Sequence, residues 1–127
     1  VKEKWDKFRK EVQSKLQPIL DEAGYSFQRG SPTEDKDGFV MWYEKDSTHR
    51  LTVDVIEQTV YEAGIRKDFN WIRVDIAGRL LKQFVDVNLD SNVYLQQGWI
   101  WLTDEELVKC IEEISRELHK YFESHPE

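Results

Sequence analysis

Three aspartates sit in near-identical apolar settings: Asp54 in V-D-V-I, Asp75 in R-V-D-I and Asp86 in F-V-D-V. Carboxylates hold hard cations and perform acid/base work, so the repetition raises two chemistries. Mg²⁺ takes several oxygen ligands. A two-metal site further needs acids that converge on the reacting group, usually with a cation near the phosphate. Arg73, two residues before Asp75, is the cation at hand, which makes Asp54, Asp75 and Arg73 the residues for a metal-dependent or acid/base enzyme. No further acid with a nearby lysine follows at nuclease-like spacing.

The same pattern has a second cause. On a strand, residues i and i+2 share a face. Asp54 then lies with Thr52 and Ile56, and Asp75 with Trp71, Arg73 and Ala77, while the valines and isoleucines point the other way. Such alternation is what an antiparallel sheet with one solvated face requires.

Other nucleophiles and ligands lack a setting. His49, His119 and His125 show no zinc spacing and no partner cysteines; they read as solvated residues. Cys110 falls on the apolar stripe of a helix and reads as a small buried hydrophobe. The serines have no G-x-S-x-G context, and the glycines form neither a phosphate loop nor a dinucleotide fingerprint. No cofactor or metal is expected.

The elements that would position these residues follow from periodicity. In 2–23, Trp5, Phe8, Val12, Leu16, Ile19, Leu20 and Ala23 recur at helical spacing. Pro18 is expected to kink this helix or restart it, and Gly24 to cap its end. Period-two patterning predicts strands within 25–29, 39–44, 50–59 and 71–77, with loops at 30–38 and 61–70 and a turn at 45–49. Residues 78–89 suit either a short helix or, within 83–89, a strand. Asp90-Ser91-Asn92 is a turn and 93–102 a final strand, bent at Gly98. Thr103 with Glu106 makes a capping box for a helix over 104–122, whose stripe is Leu107, Cys110, Ile111, Ile114, Leu118, Tyr121 and Phe122. The expected fold is α+β: one domain over 1–127, with an antiparallel sheet of four to six strands and both terminal helices on one face.

That arrangement turns attention to the other face. It would carry Trp42, Trp71, Tyr94 and Arg73 beside Asp54 and Asp75. Trp, Tyr and Arg are enriched where proteins bind proteins. Either this face is open to a partner, or the 60–70 loop folds across it and makes a second small core. Trp99 and Trp101, next to the final helix, read as core anchors. If Trp42, Trp71, Trp99 and Trp101 instead surround one cavity, the chain is a small-ligand or lipid binder.

Composition narrows the partner. The 127 residues carry a net charge of −7, which opposes contact with phosphate backbones. Segment 24–63 has four basic and eight acidic residues, and 99–127 has three and eight. The final helix is thus an acidic rod suited to a basic protein. The aromatic content of 13% argues against a disordered body. No apolar run approaches the ~18 residues of a membrane span, and neither a membrane nor a nucleic acid is expected as partner. The single cysteine, with no visible signal peptide, suggests a reducing, cytoplasmic setting. The expected function is a non-enzymatic, acidic protein-binding module, such as an immunity-type antidote that occludes a basic toxin or nucleic-acid enzyme. The enzyme using Asp54, Asp75 and Arg73 and the tryptophan-lined ligand binder are the alternatives.

Overall fold

The computed structural model describes residues 3–34, 37–81 and 98–125. It is an α+β fold in two layers, an antiparallel sheet with helices on one face.

The N-terminal helical run begins with a 3-10 turn at Glu3–Trp5, continues as α1 (Asp6–Glu11), passes through a π turn at Val12–Leu16 and ends as α2 (Gln17–Glu22). The helix restarts at Pro18, one of the two outcomes expected of it. The last π bond runs from Gln17 N–H to the Val12 carbonyl, and Pro18 then falls in the first turn of α2, where a missing N–H costs nothing. Trp5, Phe8, Val12, Leu16 and Leu20 are all buried along one stripe. Gly24, with φ of +93°, reverses the chain, and Tyr25 N–H closes the helix end on the Leu20 carbonyl.

The sheet runs β1 (Ser26–Pro32), β2 (Gly38–Asp46), β3 (His49–Glu62), β4 (Ile65–Ile76), in sequence order. Two short strands, β5 (Arg79–Leu80) and β6 (Trp99–Trp101), both pair with β4. α3 (Asp104–Ser124) starts at the expected capping box, with both reciprocal bonds of Thr103 and Glu106 formed. Met41, Tyr43, Val53, Val55, Ile72 and Val74 face the helices, and Leu107, Ile111, Ile114 and Leu118 of α3 close the core. Trp99 and Trp101 are part of it. Cys110 is buried there and donates to the Ile100 carbonyl at 3.3 Å. None of the described helices is long and apolar enough to cross a membrane.

The expected 61–70 loop is strand instead. β3 and β4 keep one register from Leu51↔Ile76 out to Glu62↔Ile65, and only Ala63 and Gly64 turn the chain. Likewise β1 runs on to Pro32, into the expected 30–38 loop, because Gly30, Ser31 and Pro32 pair with β2 as an edge strand. Of the ambiguous 78–89 stretch, Arg79–Leu80 is strand; 83–89, the turn at 90–92 and the first part of the 93–102 strand lie outside the described residues.

Candidate functional site

The sheet face turned away from the helices is built by cross-strand rows. Arg29, Trp42, Thr52, Asp75 and Leu80 form one row, and Ser31, Val40, Asp54 and Arg73 the next. Beyond them come Gly38, Ile56, Trp71 and Ile100, then Gln58 and Phe69. Five of the six residues singled out in the sequence, Trp42, Asp54, Trp71, Arg73 and Asp75, therefore share this face. The sixth, Tyr94, lies outside the described residues, as does Asp86.

Each of the five has a definite local role. Asp54 and Arg73 are register partners, and the guanidinium reaches both carboxylate oxygens, Nη2 to Oδ2 at 2.8 Å and Nε to Oδ1 at 3.4 Å. The Asp54 side chain is only 13% exposed. Such a half-buried, forked pair is worth more than an exposed one, but only if both partners stay. Arg73 also lies over the Trp71 ring, 5.1 Å from its centroid. Asp75 accepts the Gly78 backbone N–H at 2.8 Å, which ties down the β4–β5 turn. A shallow depression of about 300 Å³, lined by Thr48, Arg50, Thr52, Asp75 and Gly78 among others, adjoins it. Asp54 and Asp75 thus face an arginine and a backbone amide. Among the described residues no group of three or more His, Cys, Asp or Glu is placed to hold a metal ion.

The two tryptophans differ. Trp71 and Ile100 pack against Phe69, which is buried, so part of this face is a second small cluster. The indole N–H of Trp71 is buried with no partner among the described residues. Trp42 stands apart from that cluster, half-buried, with the Arg29 guanidinium 4.0 Å above its ring. The 61–70 segment is paired strand rather than a loop folded over this face, and its Tyr61 and Ile65 are exposed. Trp42 and Trp71 lie on the opposite side of the sheet from Trp99 and Trp101, so the four do not line one cavity, and the tryptophan-lined binder is set aside.

Arg29 is the residue that period-two counting misses. Strict alternation from Phe27, which pairs with the core-facing Tyr43, puts Arg29 on the core side. A bulge at Gln28 sets two residues of β1 against one of β2, so Phe27 opposes Tyr43 while Arg29 opposes Trp42. One extra residue moves the side chain to the other face.

No family model, no curated protein and no solved structure matches this chain.

Proposed function

We propose that this chain is a protein-binding module that docks through the outer face of its sheet. In its most concrete form it is an inhibitor or immunity-type antidote that occludes a basic toxin or nucleic-acid enzyme. The observation that carries the proposal is Trp42: a half-buried indole, stacked under Arg29, on a face that no described helix covers. A large ring held in place by its neighbours loses little freedom on binding, which is what makes Trp and Arg efficient anchors. Val40 in the next row, and Ile56 one row beyond it, continue apolar ground along the sheet, and the Asp54–Arg73 pair supplies fixed polar groups beside it.

The net charge of −7 favours a basic partner and disfavours nucleic acid. The carboxylates on the outer face are largely matched: Asp54 with Arg73, and Glu44 with Arg50 at 3.1 Å. Acidity therefore attracts the partner from a distance, and the aromatic face makes the contact.

Parallel affinity capture from the source cells tests the proposal, with the wild-type protein and Trp42→Ala as baits. Retention of one basic protein in stoichiometric amount by the wild type, and its loss with Trp42→Ala, is the expected outcome. Truncating a central aromatic anchor costs about 2 kcal/mol or more of binding. Because Trp42 is outside the core, its removal should lower folding stability by only about 1 kcal/mol. Capture of the same proteins by both baits, or of no basic protein, refutes the proposal.

A further inference from the structure

At the end of the sheet away from the Ala63-Gly64 hairpin, the chain forms a cleft of about 560 Å³. Three elements that are remote in sequence build it. The end of α2 contributes Ile19, Glu22 and Ala23, and the chain then passes through Tyr25. The β2–β3 turn contributes Lys45 and His49. The last turns of α3 contribute His119, Tyr121, Phe122 and Glu123, followed by His125. All three histidines of the chain meet here, although their spacing in sequence carries no motif.

The cleft has an aromatic wall with fixed geometry. Phe122 lies between Tyr25, at 5.7 Å between ring centroids, and Tyr121, at 5.5 Å and nearly perpendicular. The His125 ring stacks on Tyr121 at 4.1 Å and 13°. Two of the imidazoles are oriented by hydrogen bonds: His49 Nδ1 by the Asp46 carboxylate at 2.8 Å, and His125 Nδ1 by the Tyr121 carbonyl at 2.9 Å. Four lining side chains are nitrogen bases, against the two carboxylates of Glu22 and Glu123. The volume suits a small organic molecule.

We propose that this cleft binds a small aromatic anion, its ring against the Tyr25–Phe122–Tyr121 wall and its acid group paired with the imidazoles. The site is separate from the sheet face that carries Trp42, so neither proposal depends on the other. Binding is tied to pH, because an imidazole ordinarily changes charge between about pH 5 and 8. The other charged groups facing the cleft are Lys45 on β2, Glu22 on α2 and Glu123 on α3, with Asp46 behind His49; none of these residue types ordinarily titrates in that window. Tyr25 stays a neutral donor, since burial first, and then Tyr121 and Asp46, push its phenol up.

Salicylate, salicylamide and benzylammonium, titrated into the full chain and followed by NMR, separate the possibilities. Salicylate should bind saturably and shift the signals of His119, His125, Tyr25 and Tyr121. Its affinity should fall about tenfold between pH 5.5 and pH 8, as expected when imidazolium partners are lost. The exposed positions make His119→Gln with His125→Gln a variant that keeps the amide spectrum dispersed, and it should weaken salicylate by roughly tenfold. Lys45→Gln, on a different element, serves as the second variant and should also weaken it. The proposal is overturned by equal affinity for salicylamide or benzylammonium, by pH-independent binding, by shifts centred on Trp42, or by no saturation below about 20 mM, where binding is hardly specific.

Discussion

At the scale of single residues, Asp46 does the most with one side chain. Its Oδ1 accepts from the backbone N–H of Thr48 and of His49, both at 2.9 Å, from the Thr48 hydroxyl at 2.9 Å, and from His49 Nδ1 at 2.8 Å. The ordinary value for this carboxyl is 3.8, and the His49 hydrogen bond first, then the Thr48 amide, hold it far below that. A carboxyl depressed on folding stabilises the folded state above its unfolded pKa, and that contribution drains away as pH falls toward the folded value. The stabilisation is therefore complete above about pH 5 and declines from about pH 4 downward. Asp46→Asn mimics the protonated side chain at every pH. Wild type should thus melt higher than Asp46→Asn at pH 6, and the gap should narrow steadily as the pH is lowered from about 4 to about 2. A gap in Tm that stays constant across this range would show that the charge on Asp46 is irrelevant to the turn. Asp54 illustrates a different residue-scale lesson. Its alternating neighbours place it correctly on the outer face, but its partner Arg73 sits nineteen positions away, and only the β3–β4 register brings them together.

At the scale of elements, two of the tight turns of the sheet share an unusual choice. Ala63-Gly64 and Ala77-Gly78 both place an alanine at positive φ, +52° and +54°, followed by a glycine at +80° and +87°. Two left-handed central residues are the mark of the type I′ hairpin, which matches the twist of its strands and favours Asn-Gly. A Cβ at positive φ costs roughly 1 kcal/mol, and asparagine tolerates that region better. Ala63→Asn and Ala77→Asn should each stabilise the protein by about 0.5 kcal/mol and raise Tm by about 2 °C; a thermal melt of either variant that falls below wild type would count against the strain. The same alanines explain why the long hairpin was not legible. A-G is a weak turn signal, and past Gln58 and Phe69 the ribbon has left the core. Tyr61 and Ile65, 64% and 63% exposed, stand among Thr59, Arg66 and Asp68, which bond to one another across and along the strands. Alternation betrays a strand when one face is buried, and the described side chains of this ribbon are exposed. The helices were legible for the converse reason. Their stripes are local, each facing the sheet, and the Thr103–Glu106 box lies within four residues. Arg29 and the histidine cleft were hidden because a bulge and a tertiary meeting of remote elements decide them, and periodicity carries neither.

At the scale of the whole molecule, the aromatic anchors and the acidic face of α3 lie on opposite sides. The buried stripe of α3 packs on the helix face of the sheet, so its exposed Glu105 and Glu112, with the half-exposed Glu117, point away from Trp42 and Arg29. Long-range attraction and short-range contact are therefore separable by mutation. Charge removed from α3 should act on the encounter, because steering depends on the summed field and is screened by salt within about 8 Å at physiological ionic strength. Loss of Trp42 should act on escape, because it removes packed area after docking. With the captured basic partner, Glu105→Gln, Glu112→Gln and Glu117→Gln combined should slow association several-fold, on the order of 3–10, at low salt and leave dissociation unchanged. Raising the salt should erase the difference from wild type. Trp42→Ala should show the reverse, with near-normal association and dissociation faster by about thirtyfold or more. Stopped-flow measurement of both rates at two ionic strengths distinguishes the two. If the α3 variant dissociates faster instead, α3 itself is in the interface and the docking face has been assigned to the wrong side of the sheet.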